Sequence, residues 1–302
     1  MNLNVDVAGI QLKNPVIAAA GTFGNSDEYG QLVNISLLGA VTTKGLSMEP
    51  WQGNSYPRMA ETASGLINSV GLQNKGVKAF IEEDLPLLQA LDVKVIVNII
   101  GQTVEEYTKV ASILDKELGV DAIEVNISCP NIKKGGLSFG SDPKMAAQVI
   151  ASVKKKTSKT VIAKLSPNVT DIVQIAKQAE LAGADAVSLI NTILAMAIDA
   201  QTRRPKLANI YGGLSGPAIK PVALRMVHQV SQSVDIPVIG MGGIFTTDDA
   251  LEFIIAGAKA VAVGTATFNN PQAMINIIEG MSAYLAKNNL SLDKLCGSLK
   301  TK

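Results

Sequence analysis

The chain has 302 residues, 47% hydrophobic and 18% charged, with 27 basic against 26 acidic side chains and a net charge of +1. That balance, with no basic stripe interleaved with aromatics, excludes the electrostatic footprint of a nucleic-acid binder, and no apolar run approaches the ~18–20 residues that span a bilayer. Two cysteines, Cys129 and Cys296, without Cys-x-x-Cys spacing, exclude a disulfide framework and a zinc or iron–sulfur site built by this chain alone.

Met1-Asn2-Leu3-Asn4-Val5-Asp6 lacks the layout of a signal peptide, so a cytoplasmic protein is expected. Leu3-Val5-Val7 and Ile10-Leu12 then alternate apolar and polar residues around Ala8-Gly9, which predicts a hairpin closing the bottom of the fold. Beyond it, short apolar runs recur, each followed by a turn and a helical pattern. They predict strands at 16–20, 40–44, 93–99, 122–127, 160–165, 186–190, 237–241 and 260–264, and helices near 76–90, 103–117, 142–156, 169–182, 217–231, 246–256 and 271–286. Four helix-to-strand junctions repeat a glycine, at Gly39, Gly119, Gly183 and Gly257, each expected to supply a left-handed residue past a helix end.

Eight βα units in one chain predict an α/β fold, a (βα)8 TIM barrel forming a single domain over 1–302, with its active site at the C-terminal ends of the strands. A doubly wound open sheet is the alternative. Residues 45–75, 128–141 and 191–216, after strands two, four and six, exceed ordinary βα loops and are expected to be lids or binding loops.

The predicted strands end in Gly21-Thr22, Lys44-Gly45, Asn98, Asn126 with Cys129 beyond, Lys164, Asn191-Thr192, Gly242-Gly243 and Gly264-Thr265. Each alone reads as a turn residue, but together they make a polar rim. The last two pairs stand where barrels bind phosphate through backbone N–H groups. Gly240-Met241-Gly242-Gly243 is no dinucleotide fingerprint, because position 245 is Phe. Lys44 and Lys164 suit either Schiff-base chemistry or fixed positive charge. The only histidine, His228, falls within a helix pattern and reads as an ordinary helix residue. Cys129 opens a long loop containing Lys133, Lys134, Gly135 and Gly136, and could act as base or nucleophile; Cys296 reads as a small buried side chain of the tail.

Lys44, Asn68-Ser69-Val70-Gly71-Leu72, Asn126-Ile127-Ser128-Cys129-Pro130-Asn131, Lys164, Asn191-Thr192, Gly212-Gly213-Leu214-Ser215-Gly216, Gly242-Gly243-Ile244 and Gly264-Thr265 occur in an order and spacing that resembles the flavin-dependent dihydroorotate dehydrogenases. The resemblance covers nearly the whole chain. It implies a barrel holding one FMN and oxidising dihydroorotate to orotate in pyrimidine synthesis. It further implies that Cys129 removes the C5 proton while hydride leaves C6 for flavin N5. Lys44, Asn68, Asn126 and Asn191, with Thr192 and the segment Ser69-Val70-Gly71-Leu72, would surround the substrate. Lys164 would place positive charge at the flavin pyrimidine edge, and Gly242, Gly243, Gly264 and Thr265 would cradle the phosphate. Gly21, Gly45, Asn98, Ile190 and Gly216, with Lys44 and Asn126, would complete the flavin pocket.

Within that family, Cys129 and a start close to the barrel set the chain apart from membrane-attached members that use serine as base. The run Ile132-Lys133-Lys134-Gly135-Gly136-Leu137-Ser138-Phe139-Gly140 resembles the NAD-linked members rather than the fumarate-reducing ones. The NAD-linked resemblance implies a heterotetramer of two catalytic chains and two electron-transfer chains, the latter carrying FAD and a [2Fe–2S] cluster. Gly21 departs from relatives that often have serine there. The alternatives are a fumarate-linked enzyme, a flavoprotein similar to the dihydropyrimidine dehydrogenases, a Schiff-base sugar-phosphate lyase using Lys164 or Lys44, and a non-catalytic barrel.

Overall fold

The computed structural model describes residues 2–23, 30–128 and 140–301. It opens with the expected hairpin. Strands β1 (Val5–Val7) and β2 (Ile10–Leu12) pair antiparallel, burying Val5, Val7, Ile10 and Leu12 and exposing Asp6 and Gln11, as a period of two requires. Ala8 and Gly9 both take positive φ, which closes a two-residue turn. The Ala8 carbonyl accepts a hydrogen bond from Thr160 Oγ1 at 3.0 Å.

The further strands, in chain order, are β3 (Val16–Ala18), β4 (Ala40–Thr42), β5 (Met59–Thr62), β6 (Gly65–Asn68), β7 (Lys94–Ile99), β8 (Ala122–Asn126) and β9 (Thr160–Lys164). After them come β10 (Ala186–Leu189), β11 (Ile193–Met196), β12 (Ile198–Asp199), β13 (Arg204–Pro205), β14 (Tyr211–Ser215), β15 (Val238–Met241) and β16 (Ala260–Val263). Eight of these, β3, β4, β7, β8, β9, β10, β15 and β16, run parallel and close into a barrel, the last joining the first through Val261↔Val16 and Val263↔Ala18. Thr160 begins a barrel strand, so its bond to Ala8 seats the hairpin at the N-terminal end of the barrel. Barrel strands read as almost unbroken runs of buried Ala, Val and Ile because helices cover one face and the interior the other.

Helices Val104–Leu114, Pro143–Lys154, Ile172–Leu181 and Thr247–Ile255 each begin at a side-chain cap, from Thr103, Asp142, Asp171 and Thr246 respectively. Each cap accepts a backbone N–H that the first helical turn leaves without a partner. The helix expected at 76–90 is interrupted: α-helical Gly76–Ala79 passes into a π-helical turn, Phe80–Asp84, before α-helical Leu85–Gln89. Pro86 has no N–H to give the carbonyl four residues back, and the wider turn absorbs that gap.

Two sequence expectations need correction. Strands β7 and β15 end where predicted, at Ile99 and Met241, but the other six barrel strands end one or two residues short, which leaves Lys44, Ile190 and Gly264 just past the ladder. Of the four junction glycines, only Gly183 (φ 93°) and Gly257 (φ 117°) are left-handed. Gly39 and Gly119 instead permit close approach: a Cβ would strike the Asn14 carbonyl oxygen at the first and the Gln89 side chain at the second.

The long connections after strands two and six are not loose loops. They form one antiparallel sheet in the order β11-β14-β6-β5, with Gly213↔Asn68 and Met196↔Tyr211 in register. Most of the third long connection, 129–139, lies outside the described residues.

Candidate active site

Parallel register decides which side chains enter the barrel. Asn98 pairs with Glu124, Asn126 with Lys164, and Lys164 with Ser188, so these residues share one face of their strands. That face is the interior, because Glu124 on β8 reaches Ser188 on β10 across the intervening strand: Ser188 Oγ donates to Glu124 Oε1 at 2.7 Å. Asn98 Nδ2 donates to Glu124 Oε2 at 2.5 Å, and Lys164 Nζ stands 3.5 Å from the same oxygen. All four side chains are at least nine-tenths buried.

The rim above continues this parity. The Asn126 Oδ1 accepts the Ser128 N–H at 3.2 Å, its carbonyl takes the Tyr107 hydroxyl, and Ser128 Oγ donates to the Lys164 carbonyl. Lys44, half-buried, follows interior Thr42 by two residues, and Gly45 packs against Asn98 so closely that a Cβ would come within 2.9 Å of Asn98 Oδ1. That Oδ1 is buried without a hydrogen-bond partner, as is Ser69 Oγ. Orphaned buried acceptors are costly unless a ligand or water serves them.

The antiparallel sheet brings a second set of polar groups to the same C-terminal end. Asn68 ends β6, and its Nδ2 lies 3.4 Å from the Gly213 carbonyl. Asn191 and Thr192 bridge β10 and β11. Asn191 Oδ1 accepts the Thr192 N–H, and the Asn168 side chain ties Thr192 O and Leu194 N to the loop after β9. The segment Ser69-Val70-Gly71-Leu72 is held by Asn54 and Asn74. Asn54 Nδ2 donates to Ser69 O. Asn74 accepts from Ser47 and Gly76 while donating to Leu72 O.

Glycines gather where β14, β15 and β16 end. Gly216 (φ 100°), Gly242 (φ 123°) and Gly243 (φ 78°) are left-handed. A Cβ on Gly243 would stand 2.8 Å from Lys220 Cβ and 2.9 Å from Gly216 O, and one on Gly264 would press on Thr22 at 3.3 Å. Thr265 Oγ1 donates to Ser215 Oγ at 2.8 Å, joining two of the strand ends. Gly21 (φ 77°) meets no neighbour within 4 Å at its Cβ position, and Ile190 is buried. Backbone left free of side chains on three adjacent strand ends makes a concavity suited to an anion. Lys220 next to it is committed elsewhere. Hydrogen bonds to Asp249 (2.7 Å) and then Glu252 raise its ammonium above the usual lysine range against the cost of burial. Burial pushes the Asp249 carboxyl up, but Lys220 and the N–H groups of Phe245 and Thr246 outweigh it, so the group lies below the ordinary carboxylate range.

The structure thus brings Lys44, Asn68, Asn98, Asn126, Lys164, Asn191, Thr192 and the glycines to one end of the barrel. His228 stays apart, in the last turn of Lys220–Ser231, with Nδ1 3.3 Å from Ala256 O. Cys296 is half-buried, donates to Ala258 O, and burial pushes its thiol up. Cys129, Pro130, Asn131 and the lysines Lys133 and Lys134 lie outside the described residues. Sequence reasoning missed Glu124, Ser188, Asn74 and Asn54. For Glu124 the signal was there: a carboxylate inside a barrel strand requires an interior partner.

No helix among the described residues is long and apolar enough to cross a membrane, and no three His, Cys, Asp or Glu among them are placed to hold a metal. The family model for dihydroorotate dehydrogenase matches residues 2–285. The chain is 56% identical to a protein of Alkaliphilus metalliredigens over 303 residues, covering 99% of both chains. It is also 56% identical to one of Thermoanaerobacter sp. (99% of both chains) and 55% identical to one of Geotalea daltonii (99% of this chain and 98% of that one). All three are named dihydroorotate dehydrogenase B (NAD(+)), catalytic subunit.

Proposed function

Because the chain belongs to the dihydroorotate dehydrogenase family, we propose that it oxidises dihydroorotate to orotate in pyrimidine synthesis, as the catalytic subunit of an NAD+-linked enzyme. The observation that carries this reading is likeness over the full length to relatives so named. Its local support is the polar rim: Lys44, Lys164, Asn68, Asn98, Asn126 and Asn191 at one barrel end, beside a glycine-lined concavity.

The residues present fit an FMN. The orphaned Asn98 Oδ1 offers an acceptor to a buried ring N–H, Lys164 offers positive charge beside it, and the left-handed glycines at 216, 242 and 243 leave backbone open to a phosphate. Bound there, FMN supplies the hydride acceptor. The protein's own residues do the rest. Gly21, Gly45, Ile190, Gly264 and Thr265 line the cofactor, with Lys44 and Asn126 bordering cofactor and substrate alike. Lys44 holds the substrate carboxylate, and Asn68, Asn126, Asn191 and Thr192 hold the ring amides. The segment Ser69-Val70-Gly71-Leu72 fixes the ring's position. Cys129 removes the C5 proton from the face opposite the flavin.

Electrons leave this chain through a partner carrying FAD and a [2Fe–2S] cluster, in a cytoplasmic assembly of two catalytic and two partner chains. Lys164 facing Glu124 at 3.5 Å is a paired cation, which weighs against its use as a Schiff-base amine. The test is the absorption spectrum of the isolated chain reconstituted with FMN. Addition of dihydroorotate is expected to bleach the flavin bands, and NAD+ reduction is expected only once the partner is present. A protein that takes up no FMN, or whose flavin dihydroorotate leaves oxidised, refutes the reading.

A further inference from the structure

Glu124 is given no contact with substrate or cofactor by the reading above, yet it is an acidic side chain only 3% exposed inside the barrel. It precedes Asn126 by two residues, so it sits one level below the rim on the interior face. One oxygen takes the Asn98 amide and faces Lys164, and the other takes the Ser188 hydroxyl. A single carboxylate therefore links β7, β8, β9 and β10. Resting on the flavin reading above, we propose that Glu124 is the positioning residue of that site, deciding which way Asn98 faces and how much of the Lys164 charge the cofactor feels.

The first half follows from amide chemistry. The two ends of an asparagine side chain are alike in shape and opposite in hydrogen bonding. A carboxylate can only accept, so Asn98 must spend Nδ2 on Glu124 and turn Oδ1 away. That Oδ1 is the buried orphan, and Gly45 keeps a side chain out of the space beside it. An orphaned acceptor selects a ligand N–H and rejects a carbonyl at the same place. Glu124 thereby writes the hydrogen-bond polarity of a group it does not contact.

The second half is electrostatic. Lys164 is 5% exposed and faces a counter-charge at 3.5 Å, so the site holds a balanced pair rather than a bare cation. Deleting the negative charge while keeping the shape leaves Lys164 uncompensated, which favours a reduced, anionic flavin over the oxidised one.

The experiment compares wild type, Glu124→Gln and Glu124→Ala as full chains reconstituted with FMN, by FMN dissociation constant and flavin midpoint potential. Gln can still accept from Asn98, and the Ser188 hydroxyl can rotate to accept from its amide. Glu124→Gln is expected to hold FMN within about threefold of wild type. Its potential is expected to rise by about 30 mV or more, the equivalent of a tenfold change in relative affinity for reduced and oxidised flavin in a two-electron couple. Glu124→Ala is expected to bind FMN more than tenfold weaker. An unchanged potential in Glu124→Gln, or wild-type affinity in Glu124→Ala, overturns the inference. If neither variant folds, Ser188→Ala decides, because it loosens the carboxylate without removing it. FMN binding weakened threefold or more supports the proposal, and unchanged binding overturns it. Wild type that binds no FMN would sink the flavin reading itself, whereas wild type that binds FMN beside indifferent variants sinks only the role of Glu124.

Discussion

The barrel wall and the antiparallel sheet beyond it both deliver polar groups to the C-terminal end of the strands, by different physical means. On the wall, position follows from parity and register: once Glu124 pairs with Asn98 and Lys164 with Asn126, each side chain is committed to the interior. In the sheet of β5, β6, β14 and β11, position depends on the meeting of segments far apart in sequence, Asn68 against Gly213 and Thr192 against the backbone of β14. On the proposed function, the wall with its glycine-lined end serves the cofactor and the sheet largely the substrate. A change in one should then leave the other's ligand in place.

The strongest break of that comparison is Gly243→Val. A β-branched side chain at φ 78° would collide with Lys220 Cβ and the Gly216 carbonyl. It is expected to cost about 3 kcal/mol or more and to abolish FMN retention, read by thermal melting and by flavin content after gel filtration. Gly213→Val is the counterpart in the sheet. Its Cβ would displace the Thr192 side chain. Dihydroorotate KM is expected to rise about tenfold or more while FMN stays bound, a factor equal to about 1.4 kcal/mol. Loss of FMN in this variant would erase the division of labour between the two regions.

The smallest effect belongs to Asp249→Asn, at the foot of the glycine-lined end. The wild-type carboxyl is held below its ordinary range, so its contribution is present above the unfolded value near 3.8 and is lost as pH falls through the lower folded value. Removing it is expected to cost about 1 kcal/mol at neutral pH. Urea melts of the two proteins should converge on acidification below pH 4. A gap that persists at low pH would show that packing rather than charge is responsible.

The same contrast explains what could be read from the sequence. The eight strands, the hairpin and the rim at Lys44, Asn98, Asn126 and Lys164 were legible because hydrophobic runs and turn residues are local signals. The sheet was seen only as two long connections, since the pairing of Gly65–Asn68 with residues beyond 190 has no local signature. Glu124 was passed over because it stands within a run that otherwise reads as apolar, and the junction glycines Gly39 and Gly119 were misjudged because crowding by a distant backbone or side chain leaves no trace in their neighbours.

The pairing of β6 with β14 also sets an order of events during synthesis. When residues 65–68 are made, the strand they will pair with is still more than 140 residues away, and the closing barrel partner of β3 is later still. Such non-local contacts carry the loop-closure cost that slows folding. The antiparallel sheet at the C-terminal end of the barrel is therefore completed only after more than two thirds of the chain has been made. Truncated chains that stop before Tyr211 carry β5 and β6 as an unclosed hairpin, open to pairing with other chains.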